Sequence, residues 1–203
     1  MYLKIIEVIN SLDVARISEE RKELLKELIE YIQEKAINND EIRLNFICTH
    51  NSRRSHLSQV WAQTMAHYFQ INNVFCYSGG TEATALFPMV VTTLQEKGFQ
   101  IQSLAEGKNP KYSIKFSKKE PPIIGFSKVY DHPFNPTSSF AAIITCSQAD
   151  TGCPFIAGTE KRIPITYEDP KVSDNTFKQT EVYSNRSLQI ATEMYYVFSQ
   201  INC

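Results

Sequence analysis

The chain has 203 residues, with 21 basic and 22 acidic side chains and a formal net charge of −1. This length is enough to bury a sizeable core as one domain, and the balanced charge gives no reason to expect nucleic acid or a membrane surface as a partner. No apolar run is long enough to cross a bilayer, and the first residues do not form a basic-then-apolar export segment, so we expect a cytoplasmic protein.

Two helical patterns occupy the first 40 residues. The first starts at Leu3, and the second follows Ser18, a residue type that favours helix N-caps, with Leu24, Leu28 and Ile32 on one face. We therefore predict that residues 1–40 form an N-terminal helical extension packed on an α/β domain of residues 41–203. A partner-binding surface is the alternative interpretation of this extension.

From residue 43 onward, strand-like and helix-like segments alternate. The pattern predicts, in order, strand 43–48, helix 54–69, strand 74–78, helix 84–97 and a short strand 99–103. Such alternation is typical of α/β proteins with a central parallel sheet flanked by helices. Residues 104–139 interrupt it with many Gly and Pro residues, and we predict an inserted hairpin or long loop there.

The pattern resumes after the insertion. Residues 141–145 predict a buried strand, and residues 175–200 predict a closing helix. Ile163, Pro164 and Ile165 predict a short strand between them. Because proline cannot donate a ladder hydrogen bond, this strand belongs at an edge of the sheet.

The main chemical signal lies between the first strand and the first helix of this domain. Cys48 enters the connecting loop and Arg54 leaves it, so backbone N–H groups and the helix dipole favour a bound oxyanion. The same field favours a thiolate at Cys48, which predicts a nucleophile, and the Arg54 fork matches two anion oxygens. The predicted oxyanion-binding residues are Thr49, His50, Asn51, Ser52, Arg53, Arg54 and Ser55. The alternative is a core cysteine at a strand end, beside two solvated arginines.

Four segments together resemble the low-molecular-weight protein tyrosine phosphatase superfamily, which includes the thioredoxin-coupled arsenate reductases. The first is Cys48-x5-Arg54-Ser55, with Asn51 inside the loop. The others are the turn at 78–82 (Ser-Gly-Gly-Thr-Glu), the segment from Thr145-Cys146 to Cys153-Pro154, and Glu168-Asp169-Pro170. The similarity covers most of 42–200 and omits the N-terminal extension and the insertion.

The resemblance implies an arsenate reductase with a disulfide relay. Cys48 attacks arsenic, and Asp169 protonates the departing oxygen. Cys146 attacks the adduct, and Cys153 then takes over the disulfide for an external dithiol, thioredoxin or another reductant. Because Cys153 must reach Cys146, the polar segment 147–152 is expected to be a mobile loop.

Some positions depart from the family pattern. His50 stands where a small residue is usual, and Arg53 replaces a second loop cysteine. Gln59 stands where related reductases carry a glutamate that helps to bind potassium, which leaves open whether this chain binds that ion. We predict no other metal and no cofactor. Lys171 follows the Asp-Pro pair where phosphatases carry an aromatic residue, which favours a small inorganic anion over phosphotyrosine.

Two other functions stay open. One is a low-molecular-weight phosphatase acting on phosphotyrosine or small phosphate monoesters, because it shares the first chemical step. The other is a non-catalytic oxyanion-binding module. Cys76 and Trp61 are expected in the core, and Cys203 is expected to be an incidental thiol.

Overall fold

The computed structural model describes residues 1–152 and 155–202. Its helices are α1 (Leu3–Asn10), α2 (Glu19–Ile37), α3 (Arg54–Tyr68), α4 (Pro88–Glu96), α5 (Ser147–Gly152) and α6 (Gln179–Ser199). Its strands are β1 (Ile42–Cys48), β2 (Val74–Gly80), β3 (Gln100–Ala105), β4 (Lys111–Lys115), β5 (Ile123–Gly125), β6 (Phe140–Ile144) and β7 (Thr159–Pro164). No described helix combines the length and apolar character that a membrane span requires.

A parallel sheet in the order β2-β1-β6-β7 forms the centre of the fold, as predicted. In its register, Ile47 of β1 lies beside Gly79 of β2 and Ile144 of β6. The carboxyl ends of these strands therefore meet at one edge of the sheet, where parallel α/β proteins bind their ligands. The prediction that the strand containing Pro164 is an edge strand is confirmed.

The strand predicted at 99–103 does not join this sheet, so that part of the prediction was wrong. It forms β3 of a separate antiparallel sheet with β4 and β5, in which Ile101 pairs with Ile114. Most of β3 is exposed, whereas a strand inside a parallel sheet must be buried on both faces. The insertion therefore contributes β4 and β5 to a small sheet, and the first strand of that sheet, β3, starts before the insertion.

The helix predicted at 84–97 starts only at Pro88, because residues 84–87 have other hydrogen-bond partners. The Thr84 amide donates to Ser127 Oγ at 2.8 Å, and the Phe87 amide donates to the Ser52 carbonyl at 3.0 Å. Pro88 then fits the first helical position, where no amide donor is needed. This extended segment holds the loop after Cys48 instead of extending the helix.

Side-chain amides pair the free edge of β2. Gln63 Oε1 accepts from the Cys76 amide at 2.9 Å, and Gln59 Nε2 donates to the Cys76 carbonyl at 3.0 Å. Farther along, Asn135 Nδ2 donates to the Ser78 carbonyl at 3.0 Å. These contacts satisfy backbone groups that an edge strand otherwise leaves open to another chain. Cys76 and Trp61 are both buried, which confirms their predicted core positions.

The N-terminal helices share the main hydrophobic core. Ile5 of α1 and Leu28 and Ile32 of α2 are fully buried in it, and Ser18 caps α2 by accepting a hydrogen bond from the Arg21 amide. The Arg21 guanidinium also makes a two-pronged contact with Glu193 of α6, at 3.0 and 2.8 Å. The extension is thus joined to the last helix by apolar packing and by a nearly buried ion pair.

We expect Arg21→Met to lower the free energy of unfolding by about 2–4 kcal/mol, because the Glu193 carboxylate has a side-chain exposure of only 3% and loses its cation. Lys22→Met is the matched control, since Lys22 pairs with Glu19, whose side chain is 89% exposed. Urea unfolding of both variants measures the difference. Equal destabilisation by the two changes would show that the Arg21 pair contributes no more than a surface pair.

Candidate active site

The loop after Cys48 is held closely by the end of β2. The Thr81 amide donates to the Cys48 carbonyl at 3.1 Å, and the Glu82 amide donates to the Thr49 carbonyl at 2.8 Å. A Cβ atom on Gly80 would lie 2.4 Å from the Glu82 carbonyl oxygen and 2.7 Å from that of Thr49. Only glycine fits there, which explains the Gly-Gly turn that the sequence carries.

Asn51 links the predicted nucleophile to the rest of the loop. Its Nδ2 donates to Ser55 Oγ at 2.9 Å, and Ser55 Oγ lies 3.1 Å from Cys48 Sγ. Because the Ser55 oxygen already accepts from Asn51, its own hydrogen is free to point at the sulfur. The Cys48 sulfur therefore has a hydroxyl donor beside it, and the residue is only 4% exposed.

The Arg54 guanidinium reaches across to the predicted acid loop. Nη1 donates to the Tyr167 carbonyl at 2.9 Å, and Nη2 donates to Asp169 Oδ2 at 2.6 Å. Asp169 Oδ1 in turn accepts from the Lys171 amide at 3.0 Å, which caps a short 3-10 helix at Pro170–Ser173. Two predicted site residues that are 115 positions apart therefore form one ion pair at the loop.

A small cavity opens between these groups. Its lining residues are Cys48, His50, Ser52, Arg53, Arg54 and Asp169. Arg54 Nε is buried beside it and has no partner among the residues that the structure describes. A buried N–H group without an acceptor is costly, so this donor is suited to an oxygen of a bound anion.

The second predicted relay thiol borders the same loop. Cys146 follows β6 and is 1% exposed. Its Sγ lies 3.4 Å from Oγ1 of Thr49, the residue that follows Cys48. The Ala149 amide also points at this sulfur, at 3.4 Å. Cys153 and Cys203 lie outside the described residues.

The segment between the two relay cysteines is not the loop that the sequence analysis expected, because residues 147–152 form helix α5. Thr151 Oγ1 donates to the Ser147 carbonyl at 3.0 Å, and Asp150 forms an ion pair with Arg162 of β7 at 2.6 Å. The Ala149 amide at the start of this helix donates to Cys146 Sγ, a contact that the polar composition of the segment does not indicate.

Arg53 was predicted to bind the oxyanion, but its guanidinium is already paired. Nη2 donates to Asp174 at 2.6 Å, Nε donates to the Tyr183 hydroxyl at 2.6 Å, and the group lies 4.0 Å above the Phe87 ring. Tyr183 also donates to Asp174 at 2.6 Å. The positive charge of Arg53 is thus neutralised by a cluster whose members are too far apart in the chain for a sequence pattern to indicate it.

His50 is anchored through its backbone. Its carbonyl accepts hydrogen bonds from Thr84 Oγ1 at 3.1 Å and from Ser127 Oγ of the insertion at 2.9 Å. Its ring lies at the rim, 3.7 Å from the Glu82 carboxylate. The larger side chain at this position therefore does not fill the centre of the loop.

Comparisons with known proteins agree with this geometry. No protein-family model matches the chain. Over 132 residues it is 24% identical to arsenate reductase 2 of Staphylococcus haemolyticus and 25% identical to arsenate reductase 2 of Staphylococcus epidermidis. Each match covers 64% of this chain and 80% of the relative.

Solved structures show the same fold. A low-molecular-weight phosphotyrosine phosphatase from Vibrio cholerae O395 superposes with a TM-score of 0.53 at 12% identity, covering 78% of this chain and 94% of that one. A YwlE mutant from Bacillus subtilis gives 0.52 at 14% identity, covering 79% and 98%.

The fold and the cysteine-to-arginine loop define a phosphatase-like α/β protein with a candidate oxyanion site at the carboxyl edge of its parallel sheet. The chain is similar in sequence to curated arsenate reductases, and it shares its fold with a low-molecular-weight phosphotyrosine phosphatase.

We expect Gly80→Ala to weaken phosphate binding at least about tenfold, because the new methyl group would push the backbone of the loop aside. The measurement is the protection that phosphate gives Cys48 against alkylation. Gly152→Ala is the control for anion binding, since a methyl group there meets nothing within 4 Å. Equal protection in the two variants would show that the loop tolerates the displacement.

Proposed function

We propose that this protein reduces arsenate to arsenite in the cytoplasm, with Cys48 as the nucleophile and a disulfide relay through Cys146 and Cys153. The observation that carries the proposal is the buried Cys146 thiol at the edge of the oxyanion loop. A phosphatase has no use for a second thiol in this position. The curated relatives named arsenate reductase support the same choice.

The first step forms a bond between Cys48 sulfur and arsenic. Arsenate is held by the backbone amides of the loop and by Arg54. Asp169, once it has taken a proton from solvent, gives that proton to the departing oxygen as one As–O bond breaks, so that the oxygen leaves as water. General acid assistance of this kind contributes roughly 10²–10⁴-fold to a rate. The Arg54–Asp169 contact keeps the acid beside the cavity.

Reduction occurs in the second step. The Cys146 thiolate attacks Cys48 sulfur, an S–S bond forms, and the S–As electron pair passes to arsenic, which leaves as arsenite. Cys153 then attacks Cys146, which frees Cys48 and leaves a Cys146–Cys153 disulfide. An external dithiol, thioredoxin or another reductant, restores both thiols.

Helix α5 must rearrange during this cycle. It separates the two relay cysteines in sequence, and its ion pair between Asp150 and Arg162 holds it against β7. Both side chains are partly exposed, so the pair is weak enough to open. Formation of the Cys146–Cys153 bond is thereby coupled to loss of a short helix.

Phosphatase activity is the second candidate. It is supported by the fold shared with the Vibrio cholerae phosphatase and by the position of Asp169 at the cavity. Lys171 next to Asp169-Pro170 removes an aromatic surface for a phosphotyrosine ring. Any phosphate ester that this site hydrolyses is therefore expected to be small.

Cysteine replacements separate these functions. We expect Cys48→Ser to abolish arsenate reduction and aryl-phosphate cleavage, because a hydroxyl stays protonated. Cys146→Ser and Cys153→Ser should abolish thioredoxin-driven arsenate reduction and leave any aryl-phosphate cleavage intact. Cys76→Ser is the matched control for a buried thiol, since burial raises the pKa of Cys76 and its side chain lies outside the site.

Each result has one interpretation. Full reductase activity in both relay variants would contradict the relay. Aryl-phosphate turnover that exceeds arsenate reduction and ignores both changes would favour the phosphatase. Phosphate binding without either activity would favour the non-catalytic oxyanion-binding module.

The fork of Arg54 gives a further prediction. Arg54→Lys keeps the charge but cannot contact Tyr167 and Asp169 together, so we expect kcat/KM to fall at least about a hundredfold. Steady-state kinetics with arsenate measures the loss. Arg16→Lys is the control, because this arginine is exposed, pairs with Asp13 and does not line the cavity. An equal loss in the two variants would contradict the assigned role.

A further inference from the structure

Lys128 is a lysine buried without a counter-ion. It lies in the insertion between β5 and β6 and is 1% exposed. Across residues 1–152 and 155–202, no carboxylate pairs with its amine. An unpaired buried cation is costly, and methionine would fill the same volume without that cost. Packing alone therefore does not explain why a lysine is here.

The surroundings of the amine are suited to a cation. Nζ lies 3.5 Å from Ser78 Oγ and 3.5 Å from the Phe126 carbonyl oxygen. It also lies 4.6 Å from the centre of the Phe126 ring and 5.4 Å from that of Phe134. Oxygen acceptors and aromatic faces both stabilise an ammonium group.

This amine lies directly against the elements that carry the oxyanion loop. The Lys128 amide donates to Asn51 Oδ1 at 2.9 Å, and its carbonyl accepts from the Gly80 amide at 2.9 Å. Ser78, which contacts the amine, also contacts His56 Nδ1 at 3.2 Å, two residues after Arg54. The charge of Lys128 is therefore placed behind the loop and is shielded from water.

We propose that Lys128 is a positioning residue whose ammonium group supplies positive charge behind the oxyanion loop and takes up a proton when the loop binds a dianion. The proposal rests on the oxyanion-binding step of the proposed function and not on the relay. Burial lowers the pKa of Lys128 to about 7, so at neutral pH part of the protein carries a neutral amine. A bound anion favours the charged form, and by linkage the charged form binds the anion more tightly.

The titratable groups nearest to Lys128 come from α3 and the insertion, and His50 of the loop lines the anion cavity itself. From α3, His56 faces it, and burial, followed by the charge of Lys128, lowers the His56 pKa to about 3, so its ring stays neutral. From the insertion, Lys111 and His132 rest against the Phe126 ring. From β2, Ser78 contacts the amine and does not titrate in this range.

Sulfate binding to the Cys48→Ser protein tests the proposal. Sulfate is a tetrahedral dianion that does not titrate near pH 7, and the serine removes the proton of the nucleophile. Calorimetry at pH 7.5 in two buffers of different ionisation enthalpy should show uptake of roughly half a proton. Lys128→Met in the same background should abolish most of this uptake and weaken sulfate binding about tenfold. Lys111→Met removes an exposed amine that lies against the same Phe126 ring. This variant should retain both the proton uptake and the sulfate affinity.

Equal affinity and equal proton uptake with and without Lys128 would overturn the proposal. Should Lys128→Met fail to fold, the sulfate affinity of the Cys48→Ser/His50→Gln protein, which lacks the imidazole that lines the cavity, decides between pH 6 and pH 9. A decrease of about tenfold supports the role of Lys128, and a flat profile overturns it. Absence of sulfate binding to Cys48→Ser would overturn the oxyanion site as well, whereas binding that ignores Lys128 overturns this inference alone.

Discussion

The side chain of Asn51 is the contact on which the site depends most. Its backbone is in the left-handed region, at φ 42°, where asparagine is tolerated better than most residues. Its amide nitrogen holds Ser55, which contacts the sulfur of Cys48, and its oxygen accepts from the backbone of Lys128. One residue thus joins the nucleophile to the insertion, so the loop cannot change shape without displacing both.

A second chain of contacts connects the N-terminal extension to the predicted acid. Arg54 donates to the Tyr167 carbonyl, and the Tyr167 hydroxyl donates to Glu193 at 2.8 Å. Glu193 also binds Arg21 of α2, whose guanidinium lies 4.9 Å from the Tyr167 ring centre. The extension therefore supports the segment that carries Asp169. The first 40 residues thus contact the segment before Asp169 through Arg21, in addition to their share of the core.

Local features of the fold and site were easier to predict from the sequence than contacts between residues that lie far apart in the chain. The loop from Cys48 to Arg54, the Ser18 cap and the Pro164 edge depend on neighbouring residues, and the structure has all three elements. The assignment of β3 was wrong because its choice between two sheets depends on partners elsewhere in the chain. The partners of Arg53 could not be predicted for a similar reason, because they lie more than 100 positions away. Lys128 left no signal, since only burial distinguishes it from a surface lysine.

The buried thiols show why position matters more than number in this chain. Cys48, Cys76 and Cys146 are all buried and free within the described residues. Cys76 lies on the edge strand, where the amides of Gln59 and Gln63 occupy its backbone. Cys48 and Cys146 instead lie on either side of Thr49, and each has a hydroxyl group near its sulfur. In the proposed relay, this burial limits indiscriminate oxidation of both thiols, and the contact of each sulfur with the loop favours a reaction that starts there.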